Sequence, residues 1–388
     1  MALPLSYNWR NLVARKTTTI MTALGIGLTV AVLLSTAAVV EGLQQSLRAT
    51  AHPLNILVLR KGATAELSST RSPEEFQVIR SKRGLATGAD GQPLAALELV
   101  TVIVLENEAI PAGINITVRG ISPSSWELRD GLRLAGGRRF QPGRREVVVG
   151  KNIAERYPMA RIGQKLVFGR GAWEVVGVFD GGRSAINSEI LCDINQLASD
   201  LNRAQALSSV LIRAQDEVAK QALINDITED RRLNATAISE AAYYEQQTSS
   251  AAPIRYLGIF VAAIMAIGSC FAAMNTMYAA VARRSSEIGT LRVLGFSRYS
   301  VLISFLLESL LLSLLGGLVG CLLVAPLNNL QTGLGNFVTF SEITFELRIT
   351  PPILLTGLGF ALVMGSLGGV LPAASAARKQ ILDALRQV

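Results

Sequence analysis

Residues 301–325 read VLISFLLESLLLSLLGGLVGCLLVA, a stretch in which Glu308 is the one charged residue. At about 1.5 Å per residue, an α-helix of this length crosses the roughly 30 Å of hydrocarbon in a bilayer. Charged residues at membrane depth usually face the interior of a helix bundle and find a partner there. We therefore predict a membrane-spanning helix and interpret Glu308 as a group that holds helices together, ahead of the alternative of a transport site.

Three more apolar blocks have the same character, at 17–40, 256–282 and 353–371. The first could instead be a cleaved signal peptide, but its apolar core exceeds the roughly 7–15 residues of such peptides, which favours a retained anchor. Pro351-Pro352 precedes the fourth block and Pro372 follows it, so we expect its helix to end at Pro372. The sequence thus predicts four spans.

A short helix is also predicted ahead of the first block. Leu5, Trp9, Leu12 and Val13 share one helical face there, while Arg10 and Arg15 lie nearby. This spacing is typical of a helix that lies in the membrane interface.

The net positive charge of the chain lies in the short segments beside these blocks. The segments before the first block, between the second and third, and after the fourth carry +3, +3 and +2, which equals the net charge of +8. Residues 42–253 are nearly balanced, with 25 basic and 23 acidic residues. This positive-inside pattern predicts cytoplasmic termini, with 42–253 and 326–352 outside, and argues against a nucleic-acid partner. A hydrophobic content of 50%, with only 17% charged residues, agrees with a membrane location.

Small residues recur at four-residue spacing in the last two blocks. Gly316 and Gly320 form one pair, and Gly365 and Gly369 form another. Such pairs let helix backbones approach closely in lipid, although glycine is common in membrane helices and a single pair would mean little. Together they favour a packed bundle.

The middle region predicts a mixed α+β domain. Strands are expected at 55–60, 99–105, 115–119, 146–149, 165–168, 173–179, 189–192 and 210–213. Helices are expected at 73–81, 152–157, 216–231 and from Ser239 onward, and turns at 131–143 and 180–183. Residues 239–252 hold no strong helix breaker, so this helix could extend the second span outward as a stalk.

Catalytic and metal-binding motifs are not evident in this region. Gly150-Lys151 resembles the end of a phosphate-binding loop, but Asn152 replaces Ser or Thr and Arg145 replaces the first glycine. His52 is the single histidine, so neither a Ser–His–Asp set nor a His-based metal site is expected. The carboxylates are scattered among basic residues, and we interpret them as a solvated surface.

The loop between the second and third blocks carries a motif. Residues 281–295 read VARRSSEIGTLRVLG, which resembles the V-x-x-R-x-x-E-I-G-x-x-R-A-x-G segment of the FtsX/MacB family of ABC transporter permeases. The resemblance assigns ATPase coupling to Arg284, Glu287, Ile288, Gly289, Arg292 and Gly295. From the residues, we expect a short amphipathic helix in which Ile288, Leu291 and Leu294 pack on one side.

Other segments extend this resemblance over the whole chain. The last residues, with Pro372, Ala377, Arg378, Leu385 and Arg386, are similar to the family ending P-A-x-x-A-A-R-x-x-P-x-x-A-L-R, except that Ile381 replaces a proline. The third block resembles the family run F-L-x-E followed by G-G-x-x-G. Residues 146–150 and 175–178 resemble the MacB-like periplasmic core domain.

The resemblance implies an architecture of four transmembrane helices and an extracytoplasmic domain with a porter-like and a sabre-like lobe. We divide the chain into 1–41 (interfacial helix and first span), 42–253 (periplasmic core domain) and 254–388 (permease domain). The last part comprises spans at 254–282, 299–325 and 353–371, the coupling segment 283–298, the outer loop 326–352 and the tail 372–388.

The resemblance also implies a function and partners. The chain would be the non-catalytic permease subunit of an inner-membrane ABC transporter, driven by two copies of an ATPase that binds ATP and Mg²⁺. It would pair with a second copy or a close paralogue, contact membrane lipid and, in an export assembly, meet a periplasmic adaptor. It would export or extract a lipid, lipoprotein, peptide or drug. The alternatives are an FtsX-like transducer that activates a periplasmic partner, and an anchored domain without an ATPase.

Overall fold

A computed structural model describes residue 10 and residues 12–14, 16–107, 110–248, 252–336 and 339–378. The chain divides into two units. The membrane unit contains Met1–Glu41, Ala252–Leu330 and Leu347–Val388, and the sheet unit contains Gly42–Ala251 and Gln331–Glu346. The predicted interfacial helix at residues 5–13 lies largely outside the described residues.

Four helices in the described part of the chain are long and apolar enough to cross a membrane. They are the first spanning helix (Lys16–Thr50), the second (Ala252–Arg283), the third (Arg298–Val324) and the fourth (Pro351–Arg378). A short helix, Ser285–Val293, lies between the second and third, within the coupling segment. The four predicted spans are confirmed.

The fourth spanning helix does not end at Pro372, as we expected, but continues to Arg378. Pro372 has no N–H to donate to the carbonyl of Gly368, and its ring crowds that carbonyl. Within a membrane bundle, packing and local adjustment of the backbone compensate for this loss. Pro372 is buried, and Ala373 next to it is fully buried. Tertiary packing therefore overrides the helix-breaking tendency of this proline.

The sheet unit is built on a ten-stranded mixed sheet and a separate hairpin. The strands are β1 (Asn55–Arg60), β2 (Ala95–Asn107), β3 (Ile110–Ile121), β4 (Arg133–Gly137), β5 (Glu146–Gly150), β6 (Lys165–Phe168), β7 (Gly171–Asp180), β8 (Glu189–Asp193), β9 (Ser209–Arg213), β10 (Ala235–Ser239), β11 (Gln331–Gly335) and β12 (Glu342–Glu346). The order across the sheet is β10-β1-β9-β2-β3-β8-β5-β7-β4, with β6 also on β7. β3 and β8 run parallel, as do β5 and β7, and the other pairs are antiparallel.

Two main hydrophobic clusters lie in this unit, and Leu97 on β2 packs against both. One is built from β1, β9 and β10 with residues such as Ile79 and Leu223 from neighbouring helices. The other surrounds Trp173, whose ring stacks on Phe168 at a centroid distance of 5.0 Å. The helices of this unit are Pro73–Arg80, Ser125–Leu128, Lys151–Arg156, Ile194–Asp200, Glu217–Glu229 and Glu240–Thr248. The predicted mixed α+β domain is confirmed.

Local sequence signals explain why many of these helices and strands were predicted at the correct positions. The helix Pro73–Arg80 begins with a capping box, because Ser72 accepts from the backbone N–H of Glu75 while Glu75 accepts from that of Ser72. β1 and β6 have the predicted bounds, and six other predicted strands lie within longer or equal ones. The stalk prediction for 239–252 includes residues 249–251, which lie outside the described residues.

Several elements were not predicted. β4 occupies residues expected to form turns, β10 and the helix Ile194–Asp200 were missed, and the outer loop contains β11 and β12. β4 reads RLAGG, a composition with low strand propensity. It forms a strand because it pairs with β7, an effect that its own residues do not encode.

Candidate coupling site

The coupling segment is joined to the third spanning helix by a buried ion pair. Arg284 Nη1 lies 2.9 Å from Glu308 Oε2, and each side chain is only 5% exposed. The Arg284 guanidinium also lies 6.0 Å from the centre of the Phe305 ring, within the range of a cation–π contact. Arg284 follows directly on the second spanning helix. Its position therefore connects that helix, the helix Ser285–Val293 and the third spanning helix.

Side chains from both predicted motifs meet in one hydrophobic cluster, which we call the coupling core. It contains Met277, Val281, Ile288, Val301, Phe305, Ala373 and Ala376. Ile288 comes from the coupling segment, whereas Ala373 and Ala376 come from the tail motif. Segments far apart in sequence are therefore packed together, so that a displacement of the coupling segment would press on the third and fourth spanning helices.

Three exposed apolar residues lie at the end of the coupling helix and at the start of the third spanning helix. Val293, Leu294 and Tyr299 are 62%, 68% and 77% exposed, and we call them the apolar tip. Our expectation that Leu294 packs beside Ile288 was wrong. Six residues turn an α-helix by about 600°, so the two side chains point to different sides. Leu291 is partly buried and Glu287 is exposed.

Gly295 ends the coupling helix in a Schellman motif. Its φ of +94° is left-handed, the N–H of Gly295 donates to the carbonyl of Arg292, and the N–H of Phe296 donates to the carbonyl of Leu291. Arg292 Nη1 donates to the carbonyl of Phe296 at 3.3 Å, which supports the same turn. The geometry thus gives Gly295 a role in shaping the apolar tip.

Replacing Gly295 with alanine is expected to destabilise this turn by about 1 kcal/mol, because an L residue is strained at this φ. Proteolysis of the full chain in detergent should become faster at the coupling segment, and mass spectrometry would locate the new cleavage. Gly268, which has no neighbouring atom within 4 Å of an added Cβ and no left-handed φ, provides the control, Gly268→Ala. Equal cleavage of both variants would contradict the prediction.

The remaining residues of the tail motif lie around the end of the fourth spanning helix. Ala377 is buried, and Arg378 is exposed as the last residue of that helix. Leu385 and Arg386 lie outside the described residues. Gly289 is buried in the helix Ser285–Val293, so it lies on the packed side with Ile288.

The paired glycines lie where spanning helices touch. A Cβ on Gly316 would lie 2.7 Å from Ile26 Cβ, and one on Gly320 would lie 2.8 Å from Val30 Cβ, both on the first spanning helix. On the fourth helix, a Cβ on Gly365 would overlap Ser313, and one on Gly369 would overlap Ser309. The third spanning helix is therefore in close contact with the first and the fourth.

Gly365→Ala is expected to destabilise the bundle by about 1–3 kcal/mol, because the added methyl group overlaps Ser313 and overpacking carries a cost of this size. It would also strain the hydrogen bond, 2.6 Å long, that Ser309 Oγ donates to the Gly365 carbonyl. Thermal unfolding in detergent, followed by circular dichroism, would measure the change. Gly359→Ala on the same helix meets no atom within 4 Å and should behave like the wild type; a matching loss there would refute the prediction.

A second polar cluster, which we call the charge network, lies in the sheet unit. Arg119 is 3% exposed and forms ion pairs of 2.6–2.8 Å with Glu66, Glu98 and Glu189. Arg129 extends the network, because its Nη2 lies 2.8 Å from Glu98 Oε2 and its Nη1 lies 3.4 Å from Glu240 Oε1. The interpretation of the carboxylates as a solvated surface was therefore wrong for this set.

Burial and the neighbouring arginines shift the pKa values of the carboxylates in this network in opposite directions. Burial alone would raise the pKa of Glu98, but Arg129 and Arg119 together hold that pKa below its ordinary value. For Glu240, burial wins and raises the pKa, despite Arg129 and the hydrogen bonds from the His52 N–H and Asn55. A signal was present in the sequence, since Glu98 lies between Leu97 and Leu99, and Arg119 lies between Val118 and Gly120.

Both parts of the chain are similar to known protein families. Residues 19–230 match the family model of the MacB-like periplasmic core domain, and residues 259–381 match that of the FtsX-like permease C-terminal domain. The ABC transporter permease YknZ of Bacillus subtilis is 25% identical over 97% of this chain and 96% of its own length.

The name of a second relative describes both ATP binding and macrolide export. The macrolide export ATP-binding/permease protein MacB of Hahella chejuensis is 22% identical over 97% of this chain, which spans 59% of that protein. Among solved structures, the periplasmic region of MacB from Actinobacillus actinomycetemcomitans gives a TM-score of 0.37 at 10% identity, over 52% of this chain and 96% of that one.

Proposed function

Because this chain belongs to the family of ABC transporter permeases with a MacB-like periplasmic core domain and an FtsX-like permease domain, we propose that it couples ATP hydrolysis on a separate chain to the movement of a hydrophobic or amphipathic substrate. The substrate would be a lipid, lipoprotein, peptide or drug taken from the membrane or from outside it. The name of the macrolide exporter MacB supports the drug class as one candidate.

The apolar tip is the observation that carries this proposal. Val293, Leu294 and Tyr299 are exposed beside the coupling core, in a segment rich in arginine. Exposed apolar side chains that are close together in the chain provide apolar surface that a protein partner can cover. The positive-inside pattern supports a cytoplasmic location for this segment, where an ATPase subunit could bind the tip.

Force would then pass from the ATPase into the membrane unit. Movement of the tip displaces the helix Ser285–Val293, which is fixed to the third spanning helix by the Arg284–Glu308 pair and to the fourth by Ile288 against Ala373 and Ala376. Two ATPase copies would act on a dimer of permeases. In an export assembly, the sheet unit would meet a periplasmic adaptor.

Leu294→Asp is expected to reduce permease-stimulated ATP hydrolysis at least about tenfold, because it places a charge in an apolar contact. A candidate ATPase subunit from the same organism would be co-expressed and co-purified with this chain and assayed in proteoliposomes. Glu287→Arg should likewise abolish ATP-driven function while membrane insertion stays intact. Leu330→Asp, six residues beyond the other end of the third spanning helix and 50% exposed, is the control. Full stimulation by Leu294→Asp would refute the assignment of the tip.

Assays in the same proteoliposomes distinguish substrate transport from activation of a periplasmic partner. Release of a fluorescent lipid or macrolide that depends on ATP and is lost in Leu294→Asp would support export. ATP hydrolysis that activates a co-purified cell-wall hydrolase, with nothing moved, would support the transducer alternative instead.

A further inference from the structure

We propose that the outer edge of the sheet formed by β4 and the loop after it binds an acidic, extended segment of another protein, which adds to the sheet as a strand. We call residues 131–145 the basic edge. This proposal concerns the sheet unit and does not depend on the ATPase assignment.

The charge of the basic edge has one sign. Residues 131–145 read GLRLAGGRRFQPGRR, with five arginines and no acidic residue. All five, Arg133, Arg138, Arg139, Arg144 and Arg145, are exposed. Two carboxylates outside the basic edge compensate part of this charge. Glu146 pairs with Arg138 at 2.6 Å, and Asp200 pairs with Arg145 at 2.8 Å.

Three arginines remain to face a partner. Arg133 and Arg139 lie in no ion pair within the described part of the chain, and Arg144 Nη1 lies 3.8 Å from Glu146, a carboxylate already held by Arg138. Arg139 is held in place by Trp126, whose ring centre lies 4.5 Å from its guanidinium carbon. A net positive surface with an oriented guanidinium favours carboxylate ligands.

The backbone of the edge is also available. β4 ends the strand order and pairs with β7 on one side, so alternate N–H and C=O groups of Arg133–Gly137 point away from the sheet. Beside it, an open groove has both apolar and charged lining, with Lys151, Glu155 and Arg161 next to Ala135, Gly136, Ala154, Ile162 and Val178. Leu134 and Ile162 are 44% and 48% exposed, which provides apolar contacts.

These features select one class of occupant. A second copy of the same edge is disfavoured because arginine would face arginine. An anionic lipid headgroup would satisfy the charges but not the unpaired backbone groups, which only another main chain can match in register. Because side chains alternate along a strand, the fitting segment alternates acidic with apolar residues.

The test uses the full chain in nanodiscs of phosphatidylcholine and a short fluorescein-labelled peptide in which Glu and Val alternate. Fluorescence anisotropy at low salt should show saturable binding. The variant R133E/R139E/R144E should bind at least about tenfold more weakly, since three exposed charge pairs are lost. The control K61E/R83E/R231E changes the net charge equally at exposed positions outside the basic edge, and should bind like the wild type.

A second peptide tests strand addition separately from charge. The same sequence with N-methylated backbone amides keeps its carboxylates but cannot pair as a strand, so we expect weaker binding at equal salt. Equal binding of both peptides, equal binding by the two triple variants, or no saturable binding would overturn the proposal. Binding of phosphatidylglycerol vesicles with no binding of the peptide would overturn it in favour of a lipid surface.

Discussion

Glu308→Leu is expected to lower the free energy of unfolding of the membrane unit by about 3–5 kcal/mol, because it removes the carboxylate that pairs with the buried Arg284 guanidinium. The two side chains are each 5% exposed, so water cannot replace the lost partner. Thermal and denaturant unfolding of the full chain in detergent, followed by the helical circular-dichroism signal, would measure the loss.

The double variant Arg284→Met/Glu308→Leu separates the ion pair from simple packing. Replacing both charges with apolar side chains of similar size often restores or exceeds the original stability, because neither charge is then buried alone. We expect the double variant to recover most of the loss. If it were as unstable as Glu308→Leu alone, the pair would not be the cause of the effect.

The same variants also test the path of force. Stability restored in the double variant without restored stimulation of the ATPase would indicate that the polar link itself transmits movement from the coupling segment. Restored stimulation would indicate that the coupling core around Ile288 is sufficient. Glu308 is thus interpreted as a structural group that connects helices, and the double variant decides whether it does more.

The membrane unit could be predicted from the sequence because its signals are local. Apolar blocks of sufficient length with at most one charge define spanning helices, and the number and approximate position of the four spans followed from composition alone. The error at Pro372 has a different origin. The rule that proline ends a helix is derived from backbones exposed to water, whereas Pro372 lies buried within a bundle that supports the turn.

Features that depend on contacts between segments distant in sequence could not be predicted from local composition. Arg284, which pairs with Glu308, is 24 residues away from it in sequence. Arg119 forms ion pairs with carboxylates that are 21, 53 and 70 residues away. β4 is a strand only because β7 lies beside it. Composition indicated that Glu308 needs a partner, but no periodicity could identify Arg284 as that partner.

Arg119→Met is expected to destabilise the sheet unit by about 3–5 kcal/mol at pH 7. The substitution keeps an apolar stem of similar length but leaves Glu66, Glu98 and Glu189 without the guanidinium that they share. Unfolding of the full chain in detergent can be followed by tryptophan fluorescence, since Trp126 and Trp173 both lie in this unit.

Arg232→Met provides a matched control. Arg232 Nη2 lies 2.6 Å from Asp230, as close as any pair in the charge network, but its side chain is 71% exposed. Exposed pairs contribute about 0–1 kcal/mol because water and salt screen them. Similar losses in the two variants would show that burial does not decide the effect, and would contradict the prediction.

The dependence on pH follows from the pKa of Glu98, which Arg129 and Arg119 hold below its ordinary value of 4.5 although burial acts to raise it. In the wild type, this group stabilises the fold above about pH 4.5, and that contribution is lost as the pH falls further. Without Arg119, the pKa of Glu98 rises, so the folded variant binds a proton more readily. The difference in stability between wild type and Arg119→Met should therefore shrink as the pH is lowered from 7 towards 4. A difference that stayed constant or grew over this range would mean that the carboxylates do not carry the cost, and that the loss of packing around Arg119 does.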